Sequence, residues 1–390
     1  MSTCLKEFGV VCALGNNKAD VLAALISGEE RFLSLDNDLP LDTAQYVGRV
    51  TLPDDKALDG ITTNNNKLAY LAYQQIASIV QQLTTKYGEH RIAVVIGTST
   101  ASIYEGELAR KTFENEGKFP EDFRYEVQEM SAPASYIAAL ANAKGPVYGI
   151  STACSSSGKA LISASALLEN GLADVVIAGG IDSLTQLTVN GFKSLESISS
   201  STCRPFSADR DGINIGEAAA LFVVTRDDDG IQLLGAGETS DAYHISAPIP
   251  DGSGAAQAMA MAINNAKISA EQIDYVNLHG TGTVKNDEME ALAMANVCGD
   301  HVFCGSTKHL TGHTLGAAGA LELGLCWLLL SDDNNAHKLP ANCKDGVYDQ
   351  RLPQIKLSQG ECLDKIHYCL SNSFAFGGNN FSAVIGKKYE

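Results

Sequence analysis

Two stretches of this chain offer no polar face to water. After Cys154 come Ser155, Ser156, Ser157, Gly158 and Ala160, and after His313 come Gly316, Ala317, Ala318, Gly319 and Ala320; both then continue apolar on most faces. A helix without a polar face must be buried all round, and small residues at its start let a second backbone approach closely. The pattern predicts two helices side by side between two sheets, at the centre of a layered molecule. With 390 residues, 45% hydrophobic and 19% charged, the chain is long and apolar enough to build that core.

Strand-like runs end on glycine or small polar residues. Residues 92–96 lead into Gly97-Thr98-Ser99-Thr100, residues 175–178 into Gly179-Gly180, and residues 275–278 into His279-Gly280-Thr281-Gly282-Thr283. Helical stretches such as 159–168 and 254–266 lie between them, which predicts an α/β protein with a largely parallel sheet. A strand running into a G-T-x-T tetrad occurs twice, and each time a reactive-looking residue, Cys154 or His313, later opens a small-residue helix. Internal duplication accounts for this. The acidic turn Arg226-Asp227-Asp228-Asp229-Gly230 is the expected boundary, giving halves 1–228 and 229–390.

The formal net charge of −18 argues against nucleic-acid binding and against docking on anionic lipid. Ten scattered cysteines without CxxC pairs read as reduced thiols. No apolar run has transmembrane length; the best, 321–330, is short and holds Glu322. The expectation is a soluble cytoplasmic protein.

Cys154 lies between an apolar strand, 147–150, and a helix. At a helix N-terminus the orphan N–H groups and the dipole favour a thiolate, and the same N–H groups can hold an oxyanion. A buried structural cysteine is the commoner fate and suffices for the other nine. His279 ends a strand at a Gly-Thr-Gly-Thr turn, where α/β proteins place ligands, although alone it reads equally as a core histidine. In Ser306-Thr307-Lys308-His309-Leu310-Thr311-Gly312-His313, Lys308 and His313 flank a short loop before the second small-residue helix. Glu322 inside that helix needs a partner, and Lys308 is the natural one. His309 and His313 are four apart, a zinc-chelating spacing; Gly312 weakens a helix there and no third ligand is evident, so no metal is expected. Phe374-Ala375-Phe376-Gly377-Gly378-Asn379-Asn380 sets paired glycines beside aromatics, as a mobile or closely approached backbone would require.

Together, residues 151–155, 204–212, 279–283, 306–320 and 372–380 resemble, in family order, the elongating β-ketoacyl-acyl carrier protein synthases of the thiolase superfamily. The resemblance implies a thiolase-like duplicated five-layer αβαβα fold with two central buried helices. It implies a decarboxylative Claisen condensation in which Cys154 carries the acyl chain. His279 and His313 would then stabilise the malonyl enolate, and Lys308, held by Glu322, would tune them. Backbone N–H groups of Cys154 and Phe376 would form the oxyanion hole, with Phe376 as gate. Thr281 and Thr283 would hold the pantetheine arm, and Lys67 and Arg204 would dock an acyl carrier protein. No cofactor is implied beyond the carrier's phosphopantetheine. A dimer is implied, with an identical chain or a chain-length factor. The triple serine 155–157 and the acidic segment 119–126 point to a specialised type II polyketide or polyene system. Two rivals are a non-catalytic chain-length-factor-like subunit, which lacks the nucleophile, and a thiolase, which uses a second catalytic cysteine.

Overall fold

The computed structural model describes residues 3–387 apart from 38, 40, 42, 344 and 345. Five strands come first: Thr3–Val11 (β1), Ile92–Gly97 (β2), Val147–Ile150 (β3), Val175–Asp182 (β4) and Ala218–Thr225 (β5). Five more follow the acidic turn, Ile231–Ser240 (β6), Tyr275–Asn277 (β7), Phe303–Gly305 (β8), Tyr368–Ala375 (β9) and Asn379–Lys387 (β10), and the two-residue strand Lys356–Leu357 pairs with β8 at the sheet's end. The first set is ordered β1-β5-β4-β2-β3 and the second β6-β10-β9-β7-β8. Pairing senses repeat as well, two antiparallel pairs followed by two parallel ones in each set. The sets join edge to edge, where Thr3 and Cys4 pair with Leu233 and Gln232.

Six helices complete the layers: Asn64–Tyr87 (α1), Ala132–Ala141 (α2), Ser156–Glu169 (α3), Ser253–Ala266 (α4), Val284–Cys298 (α5) and Ala318–Leu330 (α6). Alternate strand residues point to opposite faces. In the first sheet Val94, Ile96, Ile177 and Leu221 pack outward with α1 and α2, while Val95, Val176, Ala220 and Phe222 pack inward with α3 and α6. In the second sheet Val276, Leu370 and Val384 pack outward with α4 and α5, and Cys369, Ala383 and Ile385 pack inward. The result is αβαβα. Both strand faces are covered, which explains the near-continuous apolar runs in the sequence.

The two central helices cross on glycine. A Cβ on Gly319 would lie 2.8 Å from the Gly158 backbone nitrogen and one on Gly158 would lie 2.6 Å from the Phe381 ring, so neither position has room for a side chain. Helix α6 is buried at every residue but Trp327, whose indole N–H donates to the Leu5 carbonyl at 2.9 Å. Helix α3 departs from the expectation of burial all round: Ala166 and Glu169 are exposed, and Ile162, Ser163 and Ser165 are half-buried. Ser163 lies beside β3, an edge strand, whose Tyr148 hydroxyl meets its Oγ at 2.5 Å. Ile162, Ser165 and Glu169 face the other way, onto a cavity shared with Thr3 and residues 232–236 of β6, where Ser165 Oγ meets Thr3 Oγ1 at 2.7 Å. Among the described residues no helix is long and apolar enough to cross a membrane.

Candidate active site

Cys154 stands in the turn between β3 and α3. Ala153 before it holds φ of 55°, a conformation few non-glycine residues adopt and one concentrated at functional sites. The turn is pinned by Ser155 Oγ, which donates to the Thr152 carbonyl, and by Ser156 Oγ, which accepts from the Thr152 N–H, both at 2.9 Å.

His279 lies just beyond β7. Its N–H and that of Gly280 donate to the two oxygens of Glu290, at 2.7 and 2.6 Å, while Asp287 accepts from the Gly282 N–H at 3.2 Å. Acids at the start of α5 thus fix the tetrad's backbone. His313 follows a single helical turn, Lys308–Thr311, and Gly312 at φ 68°. Its N–H donates to the Asn214 carbonyl at 2.7 Å and its carbonyl accepts from the Gly216 N–H at 2.9 Å.

These three segments converge. His313 Nε2 is 2.9 Å from Cys154 Sγ, the imidazoles stand edge to face with centroids 5.2 Å apart, and one donor atom from each of the three residues lies within 4.8 Å of the others. All three side chains are buried. The Lys308 ammonium reaches His279 Nδ1 at 3.4 Å, donates to the His279 carbonyl and is bonded to Glu322. An ammonium has no lone pair, so His279 Nδ1 must accept, which leaves the ring proton on Nε2. A Cys–His–His triangle is also a metal-ligand set by type; the adjacent buried ammonium opposes a second cation there.

Burial pushes the Cys154 thiol up to about 11, outweighing the Lys308 charge and the N–H groups of Phe376 and Cys154, which pull it down. This reverses the thiolate expected from the helix N-terminus, because loss of water outweighs the orphan N–H groups. Burial, helped by Lys308, also pushes His279 and His313 well below the usual imidazole range, and pushes the Glu322 carboxyl up against the opposing Lys308. The resting centre is therefore a thiol beside two neutral imidazoles.

A cavity of about 450 Å³ opens on Cys154, His279 and His313. Thr281 and Thr283 line it, their hydroxyls 2.9 Å apart. Phe376 lines it too, with its ring 5.3 Å from Phe192. After Phe376 the chain turns on Gly377 and Gly378, at φ 82° and 76°. Lys67 and Arg204 do not line this cavity. Half-buried Lys67 lies on α1 within the field of Glu105, and Arg204 lines a separate cavity of about 240 Å³ with Glu30 and Tyr46. Glu290, Asp287 and Asp182, which ties the first tetrad together, were not singled out from sequence. Their signal is an acid closing the apolar strand 175–181 and an Asn-Asp-Glu-Met-Glu run just after the second tetrad.

Comparison with known proteins meets this geometry. Residues 8–230 match the β-ketoacyl synthase N-terminal domain and residues 231–341 the C-terminal domain. The chain belongs to the β-ketoacyl synthase family. The synthase is 32% identical to 3-oxoacyl-[acyl-carrier-protein] synthase 2 of Staphylococcus aureus over 318 residues, 77% of this chain and 76% of that one. It is 36% identical to Nodulation protein E of Rhizobium leguminosarum bv. trifolii over 264 residues, and the match spans 64% of that relative's length and 64% of this chain. Among solved structures it is similar to a ketosynthase, ApeO of Xenorhabdus doucetiae, solved in complex with its chain length factor, ApeC. The TM-score is 0.92 and the identity 42%, over 99% of this chain and 98% of that one. It is also similar to a β-ketoacyl synthase from Burkholderia phymatum, with a TM-score of 0.86 and 26% identity over the full length of both.

Proposed function

We propose that this synthase extends an acyl chain by decarboxylative Claisen condensation with a malonyl thioester, both substrates arriving on the phosphopantetheine arm of an acyl carrier protein. The observation that carries the reading is the convergence of Cys154, His279 and His313 at the foot of one cavity.

In the first half-reaction Cys154 sulfur attacks the acyl thioester carbon. The bond from that carbon to the pantetheine sulfur breaks, and the departing sulfur takes up the thiol proton. The N–H groups of Cys154 and Phe376 receive the oxyanion. In the second half-reaction the malonyl carboxylate leaves as carbon dioxide. Its bonding electrons form an enolate whose oxygen accepts from the Nε2–H groups of His279 and His313. The enolate carbon then attacks the acyl carbon on Cys154, the carbon–sulfur bond breaks, and the released thiolate takes a proton from water. Lys308 sets the His279 tautomer and Glu322 holds Lys308. Thr281 and Thr283 hold the arm, the Phe376 ring gates the two half-reactions, and Lys67 and Arg204 dock the carrier. The halves divide the work, 1–228 supplying the nucleophile and 229–390 the histidines.

The chain pairs through the edge strand β3. Val147 is exposed and the rest of β3 only half-buried, an unpaired edge of the kind proteins cover. Likeness along almost the whole chain to a ketosynthase solved with its chain length factor favours such a partner over an identical copy, and with it a specialised type II pathway.

Two variants test this. Cys154→Ala should lose acyl loading in intact mass spectra yet still release carbon dioxide from malonyl-carrier protein. His279→Ala should lower that release about 10²–10³-fold. Unchanged release in His279→Ala, or thiolysis of acetoacetyl-coenzyme A without carbon dioxide release, would overturn the reading.

A further inference from the structure

Four residues at every second position lead out of the catalytic centre: His279, Thr281, Thr283 and Lys285. All four line the cavity. Exposure grades along them, from 2% at His279 and 7% at Thr281 to a half-buried Thr283 and an exposed Lys285. Six residues of extended chain reach at most about 20 Å. Turns at Gly280 and Gly282 shorten that reach, and the lysine side chain adds to it. The ladder therefore has the scale of a pantetheine arm laid out between its sulfur and its phosphate.

The rim where it ends is acidic. Glu196, Asp211 and Asp241 line the cavity, and Lys285 is the one lysine or arginine among the described lining residues. Two of the acids are engaged. Asp211 accepts from Ser199 Oγ and the Ser200 N–H, and Asp241 from the Ile249 N–H and Asn380 Nδ2. Lys285 makes no ion pair or hydrogen bond within the described residues. It is the second residue of α5, a fifteen-residue helix whose N-cap Thr283 makes no side-chain cap bond, which leaves the first-turn N–H groups open. The acid in that turn, Asp287, is buried and faces the other way, toward the Gly282 and Phe206 N–H groups.

We propose that Lys285 binds the phosphodiester of the incoming arm and so anchors the arm's outer end at the cavity rim. This rests on the condensation reading above. Lys285 is a positioning residue: the ammonium meets the phosphate far from the reacting atoms, and in a rim otherwise negative it favours one resting place for an anion. The contact is formed equally in ground and transition states, so it should appear in KM and not in kcat.

The experiment compares malonyl-phosphopantetheine with malonyl-pantetheine, which lacks the phosphate, by carbon dioxide release. The wild type should show a KM several-fold lower for the phosphorylated thioester. Lys285→Ala should raise that KM about five- to tenfold, leave kcat unchanged and erase the preference, with no effect on the phosphate-free thioester. Lys285→Arg should restore most of it. An equal effect of Lys285→Ala on both thioesters, or none on either, overturns the proposal while wild-type release leaves the condensation reading standing. No release by the wild type from either thioester overturns both.

Discussion

After β2 the tetrad 97–100 folds round Asp182; after β7 the tetrad 280–283 folds round Asp287 and Glu290. In the first half one carboxylate oxygen of Asp182 takes both hydroxyls, Thr98 at 2.6 Å and Thr100 at 2.7 Å, and the N–H groups of Ser99 and Thr100. The other oxygen takes the Ala317 N–H at 3.1 Å, tying the tetrad to the start of α6. In the second half the acids take backbone N–H groups of the tetrad and the side-chain amides of Asn286 and Asn372, but neither threonine hydroxyl; those are left to each other and to the cavity. The acid's origin makes the difference. Asp182 ends a neighbouring strand and meets the hydroxyls; Asp287 and Glu290 come from the following helix and meet the backbone. One local motif thus becomes a structural clamp in one half and a binding surface in the other.

The largest expected effect concerns the partners each half contributes, a buried thiol from the first and a neutral imidazole from the second. With the thiol up at about 11, the thiolate fraction rises tenfold per pH unit below that value, so iodoacetamide labelling of Cys154 should climb about 100-fold from pH 7 to pH 9. A rate already flat above pH 7 would show that the α3 N-terminus outweighs burial after all. Next in size is Asp182→Asn, which puts an amide donor where five donors now converge on the carboxylate. It should cost about 3 kcal/mol of stability, measured by denaturant titration; an unchanged midpoint would remove the contrast between the tetrads.

Much of this was legible beforehand, for local reasons. Strand ends, glycine-threonine turns and helices without a polar face are written in adjacent residues, so the repeat of layers could be anticipated; the meeting of Cys154, His279 and His313 was implied only by the family resemblance of their segments. The Lys308–Glu322 pair was legible too, because an acid in an apolar helix demands a counter-charge. What escaped depends on contacts distant in sequence. Asp182 lies 84 positions from Thr98 and has no pattern linking them. The thiol's upward shift depends on burial by segments from both halves, which a helix-start pattern does not report. The exposed edge at β3 follows from its position at the end of a sheet, and edge or centre is a property of strand order alone.

The smallest expected effect is the sharpest test of the comparison, because it makes one deletion in both halves. Thr281→Ala removes a hydroxyl that lines the cavity and bonds only Thr283. A hydrogen bond of this kind contributes about 1 kcal/mol, so KM for malonyl-carrier protein should rise about fivefold, with kcat within a factor of about two and the denaturation midpoint unmoved. Thr98→Ala removes a hydroxyl that is wholly buried and bonded to a carboxylate. It should lower stability by about 1.5–3 kcal/mol, the range for bonds to a charged group, and leave KM alone. If Thr281→Ala destabilises the protein while Thr98→Ala alters KM, the clamp and the binding surface have been assigned to the wrong tetrads, and the acid's direction of approach does not decide what the motif is for.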